Sequence, residues 1–140
     1  MGKIDEEVKE FIDAIGARRD SFDDPMLEAV FRKLFKRQNY FFYEGKFLII
    51  KISHIDNVFY GVKKDIIDFL LSGDIDFFLI LLKNRRTGWC YSKRFVKNKI
   101  STKQWSLSEK DNNYKINAGN LDELRFFRTV ENFKILISTG

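Results

Sequence analysis

Among the ionisable and nucleophilic side chains of this chain, Glu28, Glu44 and Lys51 are the set whose types suit hydrolytic chemistry. Two carboxylates offer hard oxygen ligands for Mg²⁺, and a lysine beside them can stabilise charge that develops on a phosphodiester. Lys51 is the most unusual of the three. It interrupts the apolar run Phe47-Leu48-Ile49-Ile50-Lys51-Ile52, and a lysine buried there without a partner would be costly. Two readings follow: a site lysine at the exposed end of a strand, or an edge-strand lysine turned to solvent that blocks aggregation. The rest of the chemical inventory is thin. A single histidine, His54, in the polar stretch Ser-His-Ile-Asp-Asn, and a single cysteine, Cys90, exclude both a disulfide framework and a Cys/His metal cluster. Cys90 lies between Trp89 and Tyr91 and reads as a buried structural thiol. No glycine-rich phosphate loop of dinucleotide-binding or Walker type occurs.

The elements that must position these residues are legible from periodicity. Ile4, Val8, Phe11, Ile12 and Ile15 fall at helical spacing and Gly16 stops the helix. Asp24-Pro25 begins a second helix running to about Arg37, which carries Glu28. Residues 39–44 and 46–53 form a hairpin about Gly45, with Glu44 at its turn and Lys51 near the end of its second strand. A helix is expected from Gly61 to about Ser72. The near-continuous apolar run over 75–82 reads as a central strand covered on both faces, and 89–92 as its antiparallel return. A short helix beginning at Ser92, a last hairpin from 103–108 and 113–116, and two helices over 120–126 and 129–137 complete the chain. The expectation is one α/β domain with a mixed sheet flanked by helices, α+β being the alternative. Residues 1–16 would be a peripheral acidic helix, 25–92 the core, and 93–140 a basic hairpin with the C-terminal helices. The core would contain Ile12, Val30, Phe31, Leu34, Phe41, Leu48, Ile50, Phe69, Phe78, Ile80 and Leu82.

Charge is distributed unevenly along the chain. The net charge is +5. Residues 1–24 are net −4, whereas residues 83–115 hold ten basic and two acidic groups. That segment also carries Trp89, Tyr91, Phe95, Trp105 and Tyr114. Basic groups interleaved with aromatics suit phosphate neutralisation combined with base or sugar contact. The candidate nucleic-acid contacts are Arg85, Arg86, Lys93, Arg94, Lys97, Lys99, Asn113 and Lys115. Asn113 belongs to the Asp111-Asn112-Asn113 turn, read either as a hairpin tip or as a base-contacting element.

A helix bearing an acid, a hairpin whose second strand carries a lysine, a helix, a long apolar strand and a returning strand together resemble the core of the restriction-endonuclease-like superfamily, with its PD-(D/E)XK motif. The resemblance spans about residues 25–92 and is strongest in IDFFLILLKNRRTGWCYS. Lys51 matches the motif lysine and Glu28 the helix glutamate. Ile49 stands where the family has Asp or Glu, no Pro-Asp pair precedes the strand, and Glu44 is the acid that could substitute. The resemblance implies a nucleic-acid-binding protein, with DNA favoured over RNA, that is either a Mg²⁺-dependent nuclease or an inactive relative. Without activity no cofactor is expected. A protein–protein interaction domain is the alternative, drawn from the acidic first helix, which could also dock on the chain's own basic segment. A homodimer is compatible with either reading. No apolar run is long enough to span a membrane, and the acidic N-terminal stretch lacks the features of a signal peptide, so cytoplasmic residence is expected.

Overall fold

The protein is described by a computed structural model covering residues 5–18, 40–73 and 75–139, together with Ala29, Arg32 and Lys33, which are helical. In chain order the elements are α1 (Glu6–Ile15), β1 (Tyr40–Tyr43), β2 (Lys46–Ile52), β3 (Phe59–Lys63), α2 (Lys64–Ser72), β4 (Phe77–Leu82) and β5 (Gly88–Ser92). There follow α3 (Lys93–Ser101), β6 (Ser106–Ser108), β7 (Asn113–Asn117), two 3₁₀ turns, β8 (Phe126–Phe127) and α4 (Val130–Thr139).

A five-stranded sheet in the order β1-β2-β4-β5-β8 organises the fold. The β1–β2 hairpin closes through Glu44 and Gly45, with φ of 47° and 77°. Two successive left-handed residues give the turn whose twist matches that of its flanking strands. β2 then lies parallel to β4, pairing Phe47 with Phe77 through to Ile52 with Leu82. Parallel neighbours need a crossover, and β3 with α2 supplies it. β5 returns antiparallel to β4 and pairs in turn with β8. At the start of β5, a Cβ on Gly88 would sit 2.4 Å from the Leu81 carbonyl oxygen, so the close approach of β5 to β4 depends on glycine.

Alternation along β2 and β4 divides the core between the two faces of this sheet. On one face, Phe47, Ile49, Phe77, Leu79, Leu81 and Tyr91 pack beneath α2 and a three-stranded sheet of order β3-β7-β6. On the other, Leu48, Ile50, Phe78, Ile80, Leu82 and Cys90 meet α1 and α4 through Val8, Phe11, Ile12, Phe133 and Ile137. All six residues of β4 are buried, as a strand covered on both sides requires. The architecture is thus a single mixed α/β unit.

Three sequence expectations are corrected. The helix anticipated from Gly61 begins at Lys64, because Tyr60 and Val62 point inward at a two-residue period and β3 pairs antiparallel with β7. The helix anticipated over 120–126 is replaced by the 3₁₀ turns Ala118–Asn120 and Glu123–Arg125 and by β8. Phe126 and Phe127 pair with Trp89 and Gly88, and the buried Arg125 donates from Nε to the Cys90 carbonyl oxygen at 2.9 Å. Finally, α1 is not peripheral. Val8, Phe11, Ile12 and Ile15 are buried, and the Phe11 ring lies 5.7 Å from that of Phe127 and 5.1 Å from that of Phe133. Its C-terminal end follows the sequence signal, with Gly16 in the left-handed conformation, and Asp5 caps the Glu7 and Val8 amides at the other end. Of the anticipated core residues, Ile12, Phe41, Leu48, Ile50, Phe78, Ile80 and Leu82 are buried, and Phe69 is half-buried. Val30, Phe31 and Leu34 lie outside the described residues.

Candidate nucleic-acid interface

The described parts of the anticipated catalytic set do not converge. Glu28 lies outside the described residues. Glu44 is exposed at the β1–β2 turn, whereas Lys51 stands near the far end of β2, opposite Leu81. At about 3.3 Å per residue this separates the two by roughly 20 Å, so Glu44 does not stand in for the missing motif carboxylate. Lys51 shares the face of Phe47 and Ile49, which faces the smaller sheet. Burial, and secondarily the positive charge of Lys63, lower its ammonium pKa to about 8.

The basic segment is continuous in sequence and divided in space. β5 carries the chain across the sheet, a span of roughly 15 Å. Arg85 and Arg86 therefore stand at one end, beside the C-terminal ends of β2 and β4, while Lys93, Arg94 and Lys97 stand at the other. Several of the eight anticipated contacts are engaged internally. Lys99 is buried, with its Nζ 2.6 Å from Asp122 and 2.7 Å from Gln104 Oε1. Lys93 donates to the carbonyl oxygens of Gly73 and Ile75 at 2.9 and 3.1 Å, tying α3 to the end of α2. Lys115 pairs with Asp111 at 2.8 Å and lies over the Phe59 ring. Asn113 is half-buried within β7. Lys99 and Lys93 are thus corrected from nucleic-acid contacts to structural groups, because their ammonium protons are directed at protein oxygens. Arg86, Arg94 and Lys97 present exposed side chains.

Two adjoining clefts meet at the 83–87 end, and Arg128 lines both. One, of about 300 Å³, is walled by Trp89, Phe126, Leu121 and Lys83. The Trp89 and Phe126 rings lie 4.8 Å apart, and the Arg128 guanidinium is 4.8 Å from the Phe126 ring centroid. The other, of about 470 Å³, is walled by Arg85, Arg86, Arg128, Thr129, Glu10 and Glu131. Arg128 escaped the sequence reading because it lies outside the basic segment. Only the pairing of β8 with β5 brings it beside Trp89.

Acids from α1 modulate this end. Arg85 Nε lies 3.2 Å from Glu10 and 3.6 Å from Glu7. His54 directs Nε2 at Asp5 (2.8 Å) and Nδ1 at Glu7 (3.2 Å). A neutral imidazole carries one N–H, so only the imidazolium satisfies both carboxylates. The hydrogen bond to Asp5 accordingly raises the His54 pKa above its ordinary value. Burial pushes Asp5 upward, yet the hydrogen bonds from His54 and the Glu7 and Val8 amides together hold its carboxyl below the usual aspartate value. These three exposed and half-exposed side chains, with ligand atoms within 4.8 Å of one another, form an ion cluster that fastens the start of α1. Cys90 is fully buried, and that burial pushes its thiol up to about 12; it is an unreactive core group at neutral pH.

No family model matches the chain, and neither a curated protein nor a solved structure matches it. Among the described residues no helix is long and apolar enough to cross a membrane.

Proposed function

We propose that this protein binds nucleic acid through the 83–87 end of its sheet. The observation that carries the reading is the pair of clefts sharing Arg128: one offers the Trp89–Phe126 surface for stacking, the other Arg85 and Arg86 for backbone phosphates. Aromatic platforms beside cationic grooves suit this class of ligand. DNA is favoured over RNA by the restriction-endonuclease-like reading. That reading is supported by the parallel β2–β4 pair, with its helical crossover and antiparallel neighbours on either side. Lys51 supports a second reading, Mg²⁺-dependent cleavage, since a lysine with a lowered pKa sits near the C-terminal ends of two parallel strands, where open α/β sheets place ligands. The protein–protein alternative rested on the acidic helix α1, whose Glu7 and Glu10 face the chain's own Arg85.

Binding of labelled single-stranded and duplex DNA across a salt series tests the proposal. With about three phosphates neutralised, the log–log slope for duplex is expected near −3, and Arg86→Ala with Arg128→Ala should flatten it by about 2. A salt-independent affinity, or a slope untouched by that pair, overturns the proposal. Adding Mg²⁺ or Mn²⁺ to the same mixtures reads the second mechanism. Cleavage that survives in Lys51→Ala or in excess chelator would remove Lys51 from it.

A further inference from the structure

α3 begins with charges that oppose its own dipole. The N-terminal end of a helix carries roughly half a positive charge and amides with no intrahelical acceptor. Natural first turns favour acids for this reason, yet α3 opens with Lys93 and Arg94, has no acid in its first turn, and continues to Lys97. Its N-cap is Ser92, a residue type that ordinarily accepts a hydrogen bond from a first-turn amide. Here the hydroxyl makes no cap hydrogen bond. Ser92 is only 4% exposed, and its Oγ is buried with no hydrogen-bond partner among the described residues. Ser92 also lines an open cleft of about 450 Å³ together with Asp76, Lys93, Arg94 and Lys97. Among the described residues three cations line it with one carboxylate, and that carboxylate, Asp76, is exposed.

An anion resolves each of these features together: the surplus positive charge, the amides and the idle hydroxyl. We infer that this cleft binds a phosphate group, held by Ser92 Oγ, the first-turn amides of α3, Arg94 and Lys97. Lys93, committed to the Gly73 and Ile75 carbonyl oxygens, anchors the wall of the cleft and adds its charge. Tetrahedral oxyanions with several acceptor oxygens suit such a convergence of donors. The site lies at the opposite end of β5 from Trp89 and Arg128, so it does not depend on the nucleic-acid reading above. The phosphate could come from a small phosphorylated molecule or from the end of a nucleic-acid strand.

Amide shifts in the full chain, followed by NMR at constant ionic strength, test this with inorganic phosphate titrated against chloride. Saturable shifts are expected over Lys93–Val96. Ser92→Ala, and separately the Arg94→Ala, Lys97→Ala pair, should each weaken binding at least tenfold. Thermal unfolding supplies a second readout of opposite sign. Ser92→Ala removes an unsatisfied buried hydroxyl, so it should raise the melting temperature without phosphate while abolishing the further rise that phosphate produces in the wild type. Shifts that do not saturate, that spread evenly over all basic surfaces, or that persist in Ser92→Ala overturn the site. Oligonucleotides with a 5′-phosphate or a 5′-hydroxyl separate the sources. Shifts at Lys93–Val96 with only the phosphorylated strand assign a terminal phosphate, and shifts with inorganic phosphate alone assign a small ligand.

Discussion

Lys51 shows how much a single side chain can carry when a strand turns it inward. Its neighbours Ile50 and Ile52 face α1 and α4, so the pleat leaves Lys51 on the face of Phe47 and Ile49. Its folded pKa of about 8 lies below the ordinary 10.5, which sets the sign of its pH dependence. Between these values the unfolded chain binds the proton more tightly, so folding gains stability as pH rises from about 8 toward 10.5. Below pH 8 the buried charge opposes folding by roughly 3 kcal/mol relative to an unshifted lysine. Lys51→Met should therefore narrow the rise in stability between pH 7 and pH 10.5, read as the shift in urea midpoint at each pH. Parallel pH profiles for the two proteins would show that Lys51 does not titrate with folding in this window.

At the scale of elements, α1 is where charge and packing point in different directions. Its acids suggest a separable surface helix, and its apolar stripe makes it one wall of the core. Phe11 sits among Phe127 and Phe133, three rings contributed by α1, β8 and α4. Phe11→Ala leaves a cavity in that cluster and should cost about 3–5 kcal/mol in chemical denaturation. A loss below about 1 kcal/mol would mean that α1 docks only loosely. The same docking explains the contacts of Glu7 and Glu10 with Arg85. Burial of Val8, Phe11, Ile12 and Ile15 fixes the rotation of the helix, and its solvent-facing acids are thereby held over the 83–87 turn.

Across the whole molecule, the sheet works as a spacer between two basic clefts. Arg86 and Arg128 mark one end, Arg94 and Lys97 the other, and β5 runs between them. Side chains more than about 10 Å apart with no shared partner act independently. Under the proposed mode of DNA binding, the Arg94→Ala, Lys97→Ala pair should then change the affinity for a 5′-hydroxyl oligonucleotide by less than about 0.5 kcal/mol, whereas the Arg86→Ala, Arg128→Ala pair weakens it. A comparable loss from both pairs would instead show one continuous surface gripping the strand.

Local patterns in the chain were enough to determine α1 with its Gly16 stop, the β1–β2 hairpin, β4, β5, the start of α3 at Ser92 and the β6–β7 hairpin. Each depends on a period or a cap written within about ten residues. β3 was hidden because five residues containing a glycine resemble a helix start until a partner strand is known, and its partner β7 lies some fifty residues further on. β8 was hidden for the same reason. The candidate interface was hidden more deeply. Net charge is a property of sequence, but which cations reach solvent depends on where carbonyl oxygens and carboxylates fall in three dimensions. Lys93 and Lys99 are indistinguishable from Lys97 in the sequence, and only tertiary packing turns the first two inward and leaves the third exposed. Arg128, far from the basic segment along the chain, joins Trp89 because β8 pairs with β5, and hydrogen bonding between strands acts without regard to distance along the chain.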